Sequence, residues 1–287
     1  MFSYRHAFHA GNHADVLKHT ALVATLRHLV LKDMSVSFID THAGAGVYRL
    51  DSEHARTSGE AVDGIARLHA STDALCEALD DYRQVVRGFS APGSLRHYPG
   101  SPFIAQRLLR AQDRLRLFEL HPTDSRALDS HVRGLRAGRQ VTVLREDGFE
   151  GLARLLPPPS RRALVLCDPS YEIKSDYARV PVLVAEALRR FSTGVYMVWY
   201  PIIARPEAHD LPRKLRTLAN RARKPWLQAS LTVKSGKNAK GLPASGVFVI
   251  NPPHTLRDLL APALAQMAPL LAQDASANFS LETAAGN

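Results

Sequence analysis

The sequence predicts an α/β protein built on a mostly parallel, Rossmann-like sheet with helices on both faces and a small helical subdomain inserted. Three observations predict it. Short apolar runs of strand type alternate with helical patterns, as in sheets whose parallel strands are joined by crossover helices. The first run passes directly into a small-residue turn, Thr41-His42-Ala43-Gly44-Ala45-Gly46, the arrangement that makes a nucleotide site in doubly wound folds. The acid ending the second run, Glu119, follows those glycines at far more than the ~20 residues usual in dinucleotide folds. A segment must therefore be inserted between them.

Taken in order, the first 20 residues are dense in polar groups. From about Ala14 to Leu31, the residues Val16, Leu17, Leu22, Val23, Leu26, Leu29 and Val30 recur at helical spacing. Val36–Asp40 reads as the first strand. The insertion spans roughly Tyr48 to Leu95 and is helical in pattern, as at Gly64–Leu68 and Ala74–Leu79. Leu115–Glu119 is the second strand, and Val141–Leu144 the third, followed by Glu146-Asp147-Gly148. The prolines at 157, 158 and 159 make a stiff loop. Ala163–Cys167 is apolar throughout, as a central parallel strand should be, and Asp168 ends it. A helix around Val182–Phe191 leads to a strand at Gly194–Tyr200. Trp226–Val233 and Gly246–Ile250 form a strand pair joined by the basic, glycine-bearing loop Lys234–Ser245. Residues 274–287 are small and polar and read as a frayed tail of a single domain.

Composition narrows the function. The 287 residues carry a formal net charge of +10, which attracts polyanions and favours nucleic acid over a neutral partner. Two cysteines, Cys76 and Cys167, are too few for a disulfide framework or a thiolate zinc cluster. No apolar stretch approaches the ~18 residues of a membrane span, and the N-terminus lacks a signal-peptide pattern. A cytoplasmic protein without membrane partners is expected.

Ligands of open α/β sheets bind beyond the carboxyl ends of the strands. Asp40, Glu119, Asp147 and Asp168 all fall at or just past such ends, so four acids are expected on one rim. There is no phosphate-binding P-loop: Ser235-Gly236-Lys237-Asn238 lacks the preceding glycine and strand. Arg49 occupies the third glycine position of a G-x-G-x-x-G pattern begun at Gly44, which weakens a nicotinamide reading. An acid-rich rim suits a ligand with ribose hydroxyls, an amino group and a sulfonium, which is S-adenosylmethionine.

Asp168-Pro169-Ser170-Tyr171 nearly matches the [Asp/Asn/Ser]-Pro-Pro-[Tyr/Phe/Trp] tetrapeptide of methyltransferases that act on exocyclic amino nitrogens. Adenine N6 is a weak nucleophile because its lone pair is delocalised into the ring. Acceptors aimed at the amino hydrogens localise that pair and stabilise the charge that develops. The Asp168 carboxylate and the Pro169 carbonyl are such acceptors, and proline restrains the backbone that holds the carbonyl. Tyr171 suits stacking on a base that is swung out or single-stranded. The plainer alternative is a strand-ending turn with a capping aspartate.

Other readings stand beside this one. His6, His9, His13 and His19 suggest a metal site, but Gly11 disfavours a helix through His9 and His13, and no metal is expected. Cys167 raises thiolate attack on cytosine, although it ends an apolar run. Trp199, Tyr200 and Trp226 fit a base-stacking platform or core packing. Arg107, Arg110, Arg114 and Arg116 read as a solvated basic face. An adenine-N6 DNA methyltransferase and a non-catalytic RNA-binding protein on a degenerate fold remain the competing functions.

A resemblance extends across nearly the whole chain. Tyr4-Arg5-His6, Phe8-His9-Ala10-Gly11-Asn12-His13-Ala14-Asp15-Val16 and Lys18-His19 resemble the large-subunit (23S) ribosomal RNA adenine-N6 methyltransferase family known as RlmJ. So do Asp40–Gly46, Tyr98-Pro99-Gly100-Ser101-Pro102, Glu119-Leu120-His121-Pro122, Asp147-Gly148, Trp199-Tyr200-Pro201 and Asn251-Pro252-Pro253. The resemblance implies a class I S-adenosylmethionine-dependent methyltransferase fold with an inserted helical subdomain. It further implies a monomer that methylates N6 of one adenosine in 23S ribosomal RNA, naked or in an early assembly particle. Carried across by position, His19, His42, Ser101, Glu119, Asp147, Gly148 and Asp168 contact the cofactor. Asp168 is also the catalytic acceptor, and Tyr4, His6 and Lys18 line the mouth of the site. By chemistry, Glu119 suits the ribose hydroxyls and Asp147 the adenine amino group. The chain departs from the family at Ser170, where a second proline is usual; both acceptors and the aromatic survive the change.

Overall fold

The computed structural model describes residues 8–236 and 241–286. The chain begins with α1 (His13–Leu29), β1 (Ser37–Asp40) and β2 (Val47–Arg49). The helices α2 (Glu53–Ser58), α3 (Ile65–Ala70) and α4 (Glu77–Arg87) precede β3 (His97–Pro99). Then come α5 (Ser101–Leu108), β4 (Arg114–Phe118), α6 (Pro122–Gly134), β5 (Val141–Leu144), α7 (Gly148–Gly151) and β6 (Ala163–Cys167). The remainder is α8 (Asp176–Arg190), β7 (Val195–Ile202), α9 (Pro206–Arg221), β8 (Trp226–Thr232), β9 (Ala244–Ile250), α10 (Leu256–Leu270) and β10 (Asn278–Ala284).

Eight strands form one sheet in the order β5-β4-β1-β6-β7-β9-β8-β10. The pairs β4–β5, β1–β4, β1–β6 and β6–β7 are parallel, and β7–β9, β8–β9 and β8–β10 are antiparallel. The chain winds from β1 outward to β4 and β5, then returns to the other side of β1 at β6. The carboxyl ends of β1, β4 and β6 therefore flank a topological switch point, where such sheets bind ligands. The inner strands β1 and β6 are buried at every position, as expected of strands covered on both faces.

One face of the sheet is covered by α1, α4, α5 and α10, and the other by α8 and α9. Helix α1 is buried at every residue from His13 to Leu26. It is a central helix rather than a surface one, so Asp15, Lys18 and His19 lie in the interior and need partners there. Segment 48–95, read from sequence as a helical insertion, contains α2, α3 and α4 between the paired strands β2 and β3. Its Ile65, Leu68, Leu79 and Tyr82 share one apolar cluster with α1 and α10. This segment also grips the start of α1: the Ile65 N–H donates to the Gly11 carbonyl at 2.7 Å. A Cβ at Gly64 would come within 2.1 Å of that same oxygen.

Three expectations need correction. The tail expected to fray instead forms β10, paired antiparallel with β8 from Asn278↔Thr232 to Ala284↔Trp226. Half of an edge strand faces water, so a polar composition is compatible with pairing; Ser230 and Ser280 meet at 2.7 Å, and Arg216 pairs with Glu282 at 2.9 Å. Helix α8 starts at Asp176, before Pro181, earlier than the pattern at Val182 suggested. Arg110 is not a freely solvated cation. Its guanidinium pairs with Asp113 and donates to the Val30, Lys32 and Met34 carbonyls, closing the end of α1, while Arg114 donates to the Gln112 and Asp113 carbonyls and Arg116 to those of Leu115 and Gln140.

Candidate active site

Each strand end carries a side chain to the rim for a local reason. Asp40 is the last residue of β1. Its Oδ1 accepts from the His42 N–H at 3.1 Å and its Oδ2 from the Ser101 hydroxyl at 2.6 Å. It is fully buried behind those residues, and burial pushes its pKa up to about 6 against the opposing hydrogen bonds. The expected ring of four acids is therefore three: Asp40 shapes the turn from behind instead of facing a ligand. Ser101, at the start of α5, does line the cavity, and its hydroxyl holds Asp40.

Glu119 follows β4. Its Oε2 accepts from the Gly44 N–H at 2.8 Å and its Oε1 from the His121 N–H at 2.7 Å. Burial still dominates and raises its pKa to about 7. Asp147 caps α7, accepting from the Phe149 N–H at 2.8 Å, while its other oxygen meets Arg179 at 2.7 Å. Gly148 has no room for a side chain, because a Cβ there would sit 2.1 Å from the Thr41 carbonyl oxygen. His42 packs edge-on to Phe149 at 4.8 Å, and burial lowers its pKa to about 4, so it is a neutral imidazole.

These groups enclose a cavity of about 230 Å³, whose lining includes His19, His42, Ser101, Glu119, Asp147 and Asp168. Lys18 and Arg179 are the lysine and arginine that reach it, and both are engaged by carboxylates: Lys18 by Asp15 and Asp168, Arg179 by Asp147. A cavity with acceptors to spare and its cations already paired suits hydroxyls, amino groups and positive charge better than a phosphate. The donor set thus fits S-adenosylmethionine.

A second hollow, of about 310 Å³, lies on the other side of Asp168 and Lys18. Its walls include Tyr171, Tyr177, Trp199, His9 and Glu60. Asp168 lines both spaces, as does Ser170, whereas Pro169 lines the first. Asp168 Oδ2 accepts from Lys18 Nζ at 2.5 Å. The Lys18 ammonium also lies 2.8 Å from Asp15 Oδ1 and 5.9 Å from the centre of the Trp199 ring. Burial alone would lower the Lys18 pKa; the two carboxylates overcome it and hold the pKa above its ordinary value.

Of the expected site residues, the structure brings Lys18, His19, His42, Ser101, Glu119, Asp147, Gly148, Asp168 and Pro169 to the first cavity. His19 is fully buried there, with Nδ1 2.6 Å from the Tyr98 hydroxyl. Tyr171 is placed differently from a stacking platform. Its positive φ of 55° turns the side chain beneath the loop. The ring is 2% exposed, packs on Tyr177 at 4.7 Å, and donates its hydroxyl to the Trp199 carbonyl at 2.7 Å. Trp199 reaches the second hollow, whereas Tyr200 and Trp226 pack in the core. Tyr4 and His6 lie outside the described residues. The remaining N-terminal histidines diverge: His9 meets Glu60 at 3.0 Å, and His13 meets the Leu242 carbonyl at 2.9 Å. Among the described residues no group of histidine, cysteine and acidic side chains could hold a metal, and no helix is long and apolar enough to cross a membrane. Sequence reasoning missed Asp15 and Arg179 as site residues. The available signal for Asp15 was its i, i+3 spacing from Lys18 on one helix face.

Comparison with known proteins places the chain in a family. Residues 33–282 match a family model described as "Ribosomal RNA large subunit methyltransferase D, RlmJ". A protein of Escherichia coli K12 named "Ribosomal RNA large subunit methyltransferase J" is 46% identical over 256 residues, covering 89% of each chain. One of the same name from Haemophilus influenzae is 41% identical over 283 residues, 98% of each. A crystal structure of a Legionella pneumophila protein, assigned to the family model DUF519, superposes with a TM-score of 0.85 at 33% identity, covering 97% of this chain and 99% of that one.

Proposed function

The chain belongs to the RlmJ family of ribosomal RNA large subunit methyltransferases, and from that premise we propose that it methylates N6 of one adenosine in 23S ribosomal RNA with S-adenosylmethionine. The observation that carries the chemistry is the position of Asp168, on the wall shared by the cofactor cavity and the second hollow. When bound, the cofactor supplies an electrophilic methyl group on a sulfonium.

The protein does the rest with fixed acceptors. Glu119 and Asp147 present carboxylates to hydroxyl and amino groups in the first cavity, and the close contact of Gly148 with Thr41 fixes the floor between them. Among the described residues, Asp168 Oδ1 and the Pro169 carbonyl accept no protein hydrogen bond, so both are available to the two hydrogens of an exocyclic amino group. Two such acceptors draw the nitrogen lone pair out of conjugation and stabilise the positive charge that grows on it. Asp168 Oδ1 then takes the surplus proton. The target base enters through the second hollow, and its amino group reaches past Asp168 to Pro169 at the first cavity, which requires the base to be unstacked; Trp199 and Tyr171 are among the residues lining that hollow.

Thiolate attack on cytosine has no support, because Cys167 is buried at 2% exposure and burial raises its pKa. The +10 charge favours a polyanionic substrate. A cytoplasmic monomer acting on naked RNA or an early assembly particle completes the reading. Asp168→Ala tests it: methyl transfer to RNA should vanish while calorimetry still detects S-adenosylmethionine binding. A variant that keeps wild-type transfer would remove Asp168 from the chemistry.

A further inference from the structure

We propose that Asp15 is a positioning residue of the acceptor site: by holding Lys18 against Asp168 Oδ2, it leaves Oδ1 as the oxygen that meets the target amino group. The inference rests on the methyl-transfer reading above. A carboxylate turns about a broad, two-fold χ2, so its two oxygens are interchangeable until one is anchored. Lys18 Nζ anchors Oδ2 at 2.5 Å from a side chain only 5% exposed. The ammonium is itself anchored from behind by Asp15 Oδ1 at 2.8 Å, and Asp15 is 2% exposed.

Asp15 in turn has little freedom. The Gly11 N–H donates to its Oδ2 at 2.8 Å, and its own N–H donates to Asn12 Oδ1 at 3.0 Å. Asn12 is tied to Glu60 at 2.9 Å, and Glu60 also holds His9. A single line of contacts thus runs from segment 48–95, through the start of α1, to the reacting carboxylate. Without Asp15, the ammonium would keep Asp168 as its one direct anionic partner and could move between both oxygens, competing with the amino group for the lone pairs.

Other charged or titratable groups face this cluster. Asp40 approaches from β1 and weakly opposes Asp168. His19 lies with Nε2 3.9 Å from Asp15 Oδ1. His9 and Tyr98 also feel the Asp15 charge. None of these replaces the direct Lys18 contact. Asp15 is the larger of the two Coulombic supports of the Lys18 charge, against burial that would remove it.

The test measures kcat, the KM for RNA and the Kd for S-adenosylmethionine in wild type, Asp15→Asn, Lys18→Met and the double variant. Asp15→Asn should lose kcat by on the order of 10²-fold, the scale of a ~1 Å misplacement of a reacting group, with KM and Kd near wild type. Its alkaline fall in kcat should set in at lower pH than that of wild type, because the less supported ammonium loses its proton more readily. The double variant should be no worse than Lys18→Met, because Asp15 acts through Lys18; a merely structural role would multiply the two losses. Asp15→Ser, which keeps a short acceptor for Gly11, gives the same comparison if the Asn variant fails to fold. A charge-free variant with kcat within threefold of wild type and an unshifted pH profile overturns the proposal, as does a double variant showing the product of both losses. Wild type that binds cofactor but methylates no RNA removes the methyl-transfer reading instead, and this one with it.

Discussion

Glu119 should make cofactor binding pH-dependent. Its carboxyl sits at a pKa of about 7 because burial outweighs the two backbone N–H groups that donate to it. A ribose diol would add hydroxyl donors that favour the ionised form. At pH 7 the free site is half protonated, so binding should release about half a proton. Between pH 8 and pH 6 the dissociation constant should weaken about tenfold, or about 1.4 kcal/mol. Stability of the free protein should move the opposite way. A raised carboxyl pKa contributes stability that is complete below the ordinary value of 4.5 and lost as pH rises through about 7. Over the same pH range, unliganded protein should therefore lose about 1.4 kcal/mol from this group as pH rises. Calorimetry in buffers of different ionisation enthalpy measures the proton release directly. Glu119→Gln serves as the control, since it leaves Asp40 and the ligand's own titration in place. A level dissociation constant without proton release, or an unchanged slope in Glu119→Gln, would refute the assignment of Glu119 to the cofactor site.

Three substitutions examine other parts of the account. Gly148→Ala forces a Cβ toward the Thr41 carbonyl and should destabilise the protein by about 1–3 kcal/mol, the usual cost of overpacking, with a parallel loss of cofactor affinity; thermal denaturation and calorimetry read both. Cys167→Ala should retain methyl transfer, since no step uses the thiol, and an inactive but folded variant would count against that. Ser170→Pro removes no hydrogen bond among the described residues, because no partner is found for the Ser170 N–H. Its kcat should stay within a few-fold of wild type, and a jump from negligible to clear turnover would mean that Ser170 impairs the natural chain.

Strand position was legible because the runs are short, apolar and followed by turns: β1, β4, β5, β6 and β7 lie where the sequence places them. The acids beyond those strands were legible as a group, but not their individual roles. Asp40 and Glu119 look alike in sequence, yet Ser101 closes over one and the other remains at the cavity. That difference arises from packing between distant segments, which periodicity does not record. Tyr171 shows the same limit: its residue type suits stacking, while a left-handed backbone places it under the loop. The edge strand β10 was illegible because it is mostly solvated and its alternation rests on just Phe279 and Leu281, too short a pattern to stand out in a small, polar tail. The Asp15–Lys18–Asp168 contact needed both the helix and the sheet in place, since 150 positions separate Lys18 from Asp168.

The most direct test of the central claim is methyl mapping. The protein is incubated with unmodified 23S ribosomal RNA and S-adenosylmethionine labelled in its methyl group, and the RNA is then digested to nucleosides and resolved by chromatography. The account predicts that the label appears as N6-methyladenosine and is absent from RNA treated with Asp168→Ala. Label on cytosine, or transfer to matched DNA but not to RNA, would contradict it.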